Sequence, residues 1–442
     1  MYSTADDEIT LTRAAKLLTY LGITVTFQLV GFVMNVVYSS YLGKSPSFIS
    51  SYLFRSNDAS SVAAGFRSPG TWGSHIFGDY VWIYSEIKQF GFGAYFGGSQ
   101  LTMLVLSNFP YYFSYTILVT FSLVIFFLST SLLLPDETKL ERWALTIGAV
   151  WITYPMLLAL DRGQIHLLFI SILFFGLALF FSTPANGRLA AILIGIAISF
   201  KLSPIFFLLV LAKRRNWKEL RVALITTILA LLLPLVYLKS GVGTFKRVLG
   251  LVPADKQDAM SLLYSDTSYF QSQVAYNHSF KSLSLFLARL NTFGSNFCEF
   301  VYANYFFFAA VLGFLISILV VRKAVSEFES MILIAIASSL LIPIAGGYTL
   351  LAFLMPLVII MTDNNFIFSK WNVFYCFYIG FMMMPKQIPI GFGYFSDSSF
   401  TYNSVLNPLC SLLVILITFT RSIFWTSSAR YTEVTEYLAE QK

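Results

Sequence analysis

Apolar runs long enough to cross a bilayer recur from Leu17 to Trp425, and this repetition limits the fold more than any other feature. A helix needs about 20 apolar residues to cross a hydrocarbon core of about 30 Å. Of the 442 residues, 57% are hydrophobic and 12% are charged, against about 25% charged in soluble domains. No long polar domain remains once the runs are removed, which excludes a soluble protein with one anchor. The sequence predicts a single all-α polytopic membrane domain over 1–442, with about 11–13 transmembrane or re-entrant helices.

The formal charge is +7, but the basic residues are not gathered into a face that could bind nucleic acid. Their densest run, KRRNWKELR (213–221), follows an apolar stretch and reads as a cytoplasmic loop. Cys298, Cys376 and Cys410 show no ligand spacing, and the only histidines are His75, His166 and His278. No structural zinc site is expected. The start MYSTADDEITLTRAAK is acidic, with no small-residue cleavage site after its apolar run, so Leu17–Tyr38 reads as a retained first span.

A polar, aromatic segment (39–108) follows as a first external loop. A second span is expected over Tyr111–Leu134, then a cytoplasmic turn PDETKLER. Spans three (Trp143–Leu160) and four (Ile165–Phe181) are separated by the tight turn DRGQ. From 189 to 212 the chain is apolar apart from Lys201, yet both flanks, NGR and KRRNWK, read as cytoplasmic. One straight helix cannot begin and end on the same side. Two short helices meeting near Lys201-Leu-Ser-Pro204 can, because Pro204 disfavours helix at Ser203 and removes a donor from the ladder. Non-helical backbone at membrane depth is tolerated only within protein or beside a water-filled cavity.

A sixth span (Ala223–Leu238) leads to a second external segment, 239–300, with amphipathic helices. A seventh span (Val301–Val321) precedes a second broken pair, 331–361, with Pro343 and Gly346-Gly347 at its tip. A span through FYCFYIGFMMMP, an outside loop KQIPIGFGYFSDSSF, a last span (Leu406–Trp425) and a cytoplasmic tail (426–442) complete the chain. Both long loops and both tips then face outward.

Conspicuous polar residues gather on that outer side. Asp79 lies in GDYVWIYSEIK, Arg162 and Gln164 in the turn before span four, and Asn277 and His278 in AYNHSFKSLSLFLARL. Lys201 is the sharpest of them, because a lysine at the centre of a span costs roughly 2.5–3.5 kcal/mol. One acid, one buried cation and aromatic loops suit a transferase whose donor is a lipid phosphate. The cation balances the charge of the departing phosphate, and the carboxylate takes a proton from the attacking hydroxyl.

The blocks FGDYVWIY, SNFPYYFSYT, RGQIHLLFISILFFGLALFF, GIAISFKLSPIFFLLVLAKRRNWKEL and NHSFKSL, in that order, resemble the bacterial GT-C glycosyltransferases of family 87. The resemblance spans roughly 14–425 and is most specific around Lys201. It implies a GT-C fold and an inverting, metal-independent hexosyltransferase with no cofactor. The sugar, mannose or another hexose, would pass from a polyprenyl-phosphate donor to a lipid-linked or polysaccharide acceptor. Asp79 best matches the family's catalytic acid, with Asp58 in RSNDASS as the other acid of that region. Lys201, with Arg162, would bind the donor phosphate. Gln164, His166, Asn277, His278 and Tyr348 would line the cleft.

Three positions depart from the family pattern. His166 stands where the family often has Asn, Pro110 stands alone where two prolines are usual, and Tyr348 occupies the place of a histidine. The implied setting is a bacterial inner membrane, with the site facing the periplasm or exterior. Implied partners are the donor lipid, a glycan or glycolipid acceptor and membrane lipids; no nucleic acid is expected, and the protein is expected to be a monomer. One rival is an O-antigen ligase or polymerase, which would carry an arginine-rich external loop; 239–300 has only Arg247 and Arg289. A transporter or flippase also breaks its helices at mid-membrane, but no repeated halves are visible.

Overall fold

The computed structural model describes residues 13–41, 80, 84, 97–135, 139–148, 153–162, 164–237, 277–290, 294–343, 345–363, 366–386 and 400–440. Every element among them is an α-helix or a 3-10 helix. Asp58 and Asp79, most of 39–108, and residues 238–276 lie outside the described residues.

The chain opens with α1 (Arg13–Tyr41), followed by a short α2 (Gly97–Leu106) and a long α3 (Tyr111–Leu133). Pro110 precedes α3, where a fixed φ suits the start of a helix. The expected third span is described as two short helices, α4 (Lys139–Thr146) and α5 (Tyr154–Arg162). Next comes α6 (His166–Ser182), which is buried almost all round. By contrast α1 and α3 leave large apolar side chains exposed, including Leu29, Val33, Phe113 and Phe121. In a membrane protein such faces meet lipid, while helices apolar on every side fill the interior.

Within the apolar stretch 189–212 the helix breaks at Lys201. Helix α7 (Gly187–Phe200) ends at Lys201, whose backbone is extended (φ −157, ψ 134). A 3-10 turn, Ser203–Phe207, holds Pro204 at its start and passes into α8 (Leu208–Lys213). Helix α9 (Trp217–Tyr237) then runs parallel to α7. A Cβ built on Gly187 would lie 3.4 Å from Glu219 Cγ, and one on Gly195 would lie 2.6 Å from Ala223 O. Because α8 ends at Lys213, just before α9 begins beside the start of α7, the chain has turned back on itself at Lys201. With 14 residues, α7 rises only about 21 Å, too short to cross the bilayer alone.

Two glycines let α2 reach the turn. Gly97 has φ +46, and a Cβ there would lie 2.6 Å from Ser199 O; one on Gly98 would lie 2.8 Å from the Phe200 ring. The close approach allows the buried Ser99 Oγ to donate to Phe200 O at 2.7 Å, satisfying one carbonyl left open where α7 stops.

Beyond 238–276 lie α10 (Phe280–Arg289), α11 (Ser295–Ala303) and α12 (Tyr305–Val321). The seventh span departs from the expected Val301–Val321: it begins at Tyr305, after a 90° bend at Asn304. None of the residues of α11 is buried, and Phe297 and Phe300 are exposed.

The second broken pair rises as α13 (Glu327–Leu340), turns over 341–346, and returns as a 3-10 segment (Gly347–Leu354) and α14 (Pro356–Thr362). Its two ends lie together, with the Phe328 and Phe366 rings 5.1 Å apart. Ser326 and Glu329 form a capping box at the start of α13. The feet of the two hairpins are tied to one another. Arg214 donates through Nε and Nη2 to the two carboxylate oxygens of Glu327, both at 2.6 Å, while Lys213 Nζ donates to Val320 O, Arg322 O and Val325 O.

Helix α15 (Lys370–Met383) and the last helix, α16 (Tyr402–Glu440), complete the bundle. Helix α16 continues past the expected end of its span at Trp425, so most of the expected tail is helical. Buried Glu329 binds Arg421, whose guanidinium lies 4.3 Å over the Trp371 ring, which joins α13, α15 and α16.

Candidate functional site

Lys201 sits at the turn of the first hairpin, half-buried, and its ammonium lies 3.0 Å from His166 Nε2. An ammonium only donates, so Nε2 accepts and the neutral ring carries its proton on Nδ1. That nitrogen faces Gln164 Oε1 at 3.3 Å, giving a chain from lysine to imidazole to amide. Gln164 and His166 are buried, the latter at the first position of α6. The His166 ring packs 4.6 Å from both Phe169 and Tyr348.

Tyr348 comes from the second hairpin. Its ring lies beneath the Lys201 ammonium, 5.6 Å from Nζ to the centroid, within the range of a cation–π contact. The two hairpins therefore meet at their tips as well as their feet. Lys201 and Tyr348 are partly exposed, with Gln164 and His166 behind them.

Asn277 and His278 sit at the same end of the bundle, where they hold the second tip. Asn277 Nδ2 donates to Pro343 O at 2.8 Å, and its Oδ1 accepts from Ala345 N at 2.9 Å and Ser279 N at 3.0 Å. His278 N donates to Ala345 O, and Ser279 Oγ donates to Pro343 O. The Asn277 side chain is thus spent on main chain that cannot form a ladder. Non-helical backbone at this depth is satisfied here by protein. Gly347 lets this segment pass close by, since a Cβ there would lie 2.8 Å from Leu158 and 3.5 Å from His278 Nε2.

Asp79 lies outside the described residues, but its neighbour Tyr80 is fully buried. The Tyr80 hydroxyl donates to Ser114 Oγ at 2.8 Å, and its ring packs among Tyr84, Tyr111 and Tyr115. Tyr84 donates to Phe109 O and Tyr115 to Leu160 O, so these tyrosines tie the start of α3 to the end of α5. Arg162 closes α5, and its side chain lies outside the described residues.

Sequence reasoning did not single out a further polar group beside His278. Asn407 Nδ2 lies 3.0 Å from His278 Nδ1, so that nitrogen accepts and the ring proton sits on Nε2. Lys386, just past α15, is 1% exposed and donates to Phe381 O and Met384 O. Burial, and then the nearby Lys386, hold the His278 pKa down at about 3. Burial likewise lowers Lys386 to about 7. One signal in the sequence was available: a lysine directly after MMMP at the end of an apolar run. Among the described residues, no three His, Cys, Asp or Glu side chains gather at one point.

A family model, glycosyltransferase family 87, matches residues 97–343. That stretch is more than half of the chain and carries Gln164, His166, Lys201, Asn277 and His278; Asp79 and Tyr348 fall outside it. Neither curated proteins nor solved structures give a match. The described helices include three long and apolar enough to span a membrane, or four if the bent α11–α12 pair is one span. This chain belongs to glycosyltransferase family 87 and is an all-α, multi-pass membrane glycosyltransferase of the GT-C fold.

Proposed function

We propose that the chain transfers a hexose, mannose or another, from a polyprenyl-phosphate donor to a lipid-linked or polysaccharide acceptor, with inversion. The observation that carries this reading is Lys201 at the meeting of the two hairpin tips, bonded to a neutral imidazole and lying over an aromatic ring. Neither of these two neighbours carries a negative charge, and a phosphate at this place would meet a cation. As the anomeric bond to the phosphate oxygen breaks, negative charge grows on the departing polyprenyl phosphate, and an ammonium held in place stabilises it most in the transition state.

Asp79 is assigned as the base. It takes the proton from the acceptor hydroxyl, whose oxygen bonds the anomeric carbon from the face opposite the departing phosphate, inverting that centre. Arg162 is assigned to the same phosphate. The basic 213–221 loop at the feet of the hairpins favours a cytoplasmic position for the feet and an external one for the tips. In a bacterium this is the periplasmic or outer face of the cytoplasmic membrane.

Transfer in nanodiscs, from a panel of radiolabelled polyprenyl-phosphate sugars to lipids and glycans of the native membrane, tests the reading. Label should move to a new product with wild type. It should not move with Asp79→Asn, or with Lys201→Ala, at normal expression. Full activity in Asp79→Asn would remove that base and turn the assignment to Asp58.

A further inference from the structure

We propose that α11 is an interfacial helix, lying along the membrane surface on the side of the hairpin tips with Phe297 and Phe300 set into lipid. The bilayer itself, and not the donor or acceptor proposed above, is the partner. The direction of α12 fixes the frame. This helix has no charged residue and runs from the tips to the feet. At its start the Tyr305 hydroxyl lies 3.2 Å from Leu340 O and 3.0 Å from Leu341 O, at the top of α13. Near its end Val320 O accepts from Lys213, at the foot of the first hairpin. Helix α11 meets α12 at 90°, so it runs across the direction of the span, at the end where the tips lie.

Its side chains divide among three faces. Phe297 and Phe300, one turn apart, are 63% and 56% exposed. Both rings meet the Phe308 ring edge-on, at 6.2 and 5.8 Å, in the first turn of α12. They therefore point along α12 towards the hydrocarbon. Asn296 and Glu299 are exposed on a second face. Tyr302, on the third, packs against a small apolar cluster that includes Leu283, Phe286 and Phe400. Phenyl rings on one face and a carboxylate on another suit a helix lying at a lipid–water boundary.

Continuity identifies what covers the rings. Phe307, Phe314 and Ile318 are exposed along α12, and the Phe307 ring meets Phe308 at 5.6 Å. One apolar surface thus runs from the lipid-facing side of α12 onto the underside of α11. Acyl chains that cover the first part reach Phe297 and Phe300 without a break. The Tyr305 contacts put the top of α13 close to the level of α11, so a seat at the interface sets the second tip at the edge of the hydrocarbon, within reach of lipid headgroups.

Spin labels on the full chain in phospholipid nanodiscs test the seat. Single cysteines are placed by Phe297→Cys, Phe300→Cys, Asn296→Cys or Glu299→Cys, with Cys298→Ser and Cys410→Ser; Cys376 is buried and stays. Phe314→Cys gives the lipid reference and Lys323→Cys the water reference. Collisions with oxygen, which concentrates among acyl chains, are compared with collisions with a water-soluble nickel chelate. The oxygen-to-nickel ratio at 297 and 300 should be several-fold that at 296 and 299. Water-like values at all four would lift α11 out of the bilayer, and lipid-like values at all four would sink it below the interface; either overturns the proposal. Shielding of 297 and 300 from both reagents overturns it too, since protein, a second copy or another segment, would then cover the rings. The unaltered chain gives a second reading, free of any effect of losing a phenyl ring. A phospholipid with a diazirine near the head of its acyl chain should leave adducts on Phe297 and Phe300 and none on Asn296 or Glu299. Adducts on α12 with none on α11 would overturn the proposal.

Discussion

The two hairpins solve one problem, a turn at membrane depth, in different ways. The first turns at Lys201, and one serine from α2 caps the carbonyl of Phe200. Its break is written locally, by a lysine and a proline inside the apolar run. The second turns over 341–346, and its open main chain is held from outside by Asn277, His278 and Ser279. Its shape depends on a segment more than sixty residues away. The first tip carries the charge, while the second is shaped to bring an aromatic ring beneath it.

This contrast can be broken at either tip, and the largest effect is expected at Lys201. Lys201→Met should cut transfer about 100-fold or more, the scale of losing one aimed electrostatic group, with an unchanged melting temperature. A large fall in stability instead would show that the lysine serves the fold. Next comes Asn277→Leu, which removes three hydrogen bonds: Ala345 N and Ser279 N lose the amide oxygen, while Pro343 O keeps only Ser279 Oγ. Destabilisation of about 3 kcal/mol is expected, read as a melting temperature lowered by several degrees. Hydrogen exchange should rise around 341–346 and not around Lys201. Equal loosening of both tips would mean that the hairpins fold as one unit.

Ser99→Ala should act in the mirror sense, loosening 199–203 and sparing 341–346. Only one hydrogen bond is lost, so about 1 kcal/mol is expected. A last expectation is a pH dependence at Lys386. Burial lowers its pKa to about 7, against 10.5 in the unfolded chain. Between these values the unfolded chain binds more protons than the native one, so stability should rise as pH increases from about 7 towards 10. Below pH 7 both states are charged and this contribution is flat. Lys386→Met should remove that part of the slope, and a melting profile unchanged by the substitution would place the lysine in contact with water.

The spans were legible to the extent that they depend on length and composition. Tyr111–Leu133 and His166–Ser182 fall within a residue or two of the expected runs, because one strong apolar signal decides both. The seventh span was read four residues too early. Val301–Ala303 is apolar enough to extend it, but nothing local shows that the chain bends by 90° at Asn304. At the site, Lys201 announced itself as a lone charge in an apolar run. Lys386 and Asn407 did not, since a lysine at the end of a span and an asparagine at the start of a helix are ordinary in sequence.

By itself the sequence determined that the chain fills a membrane with helices and breaks two of them, at Lys201-Pro204 and around Pro343. Both follow from signals within a few residues: apolar length, a missing donor and a charge without local company. Only the tertiary structure decided what those breaks face. His166 reaches Lys201 from 35 residues away, and Asn277 reaches Ala345 from 68. Such pairings are set by which helices pack together. Buried polar atoms must find partners wherever packing places them, and one-dimensional order does not record that choice.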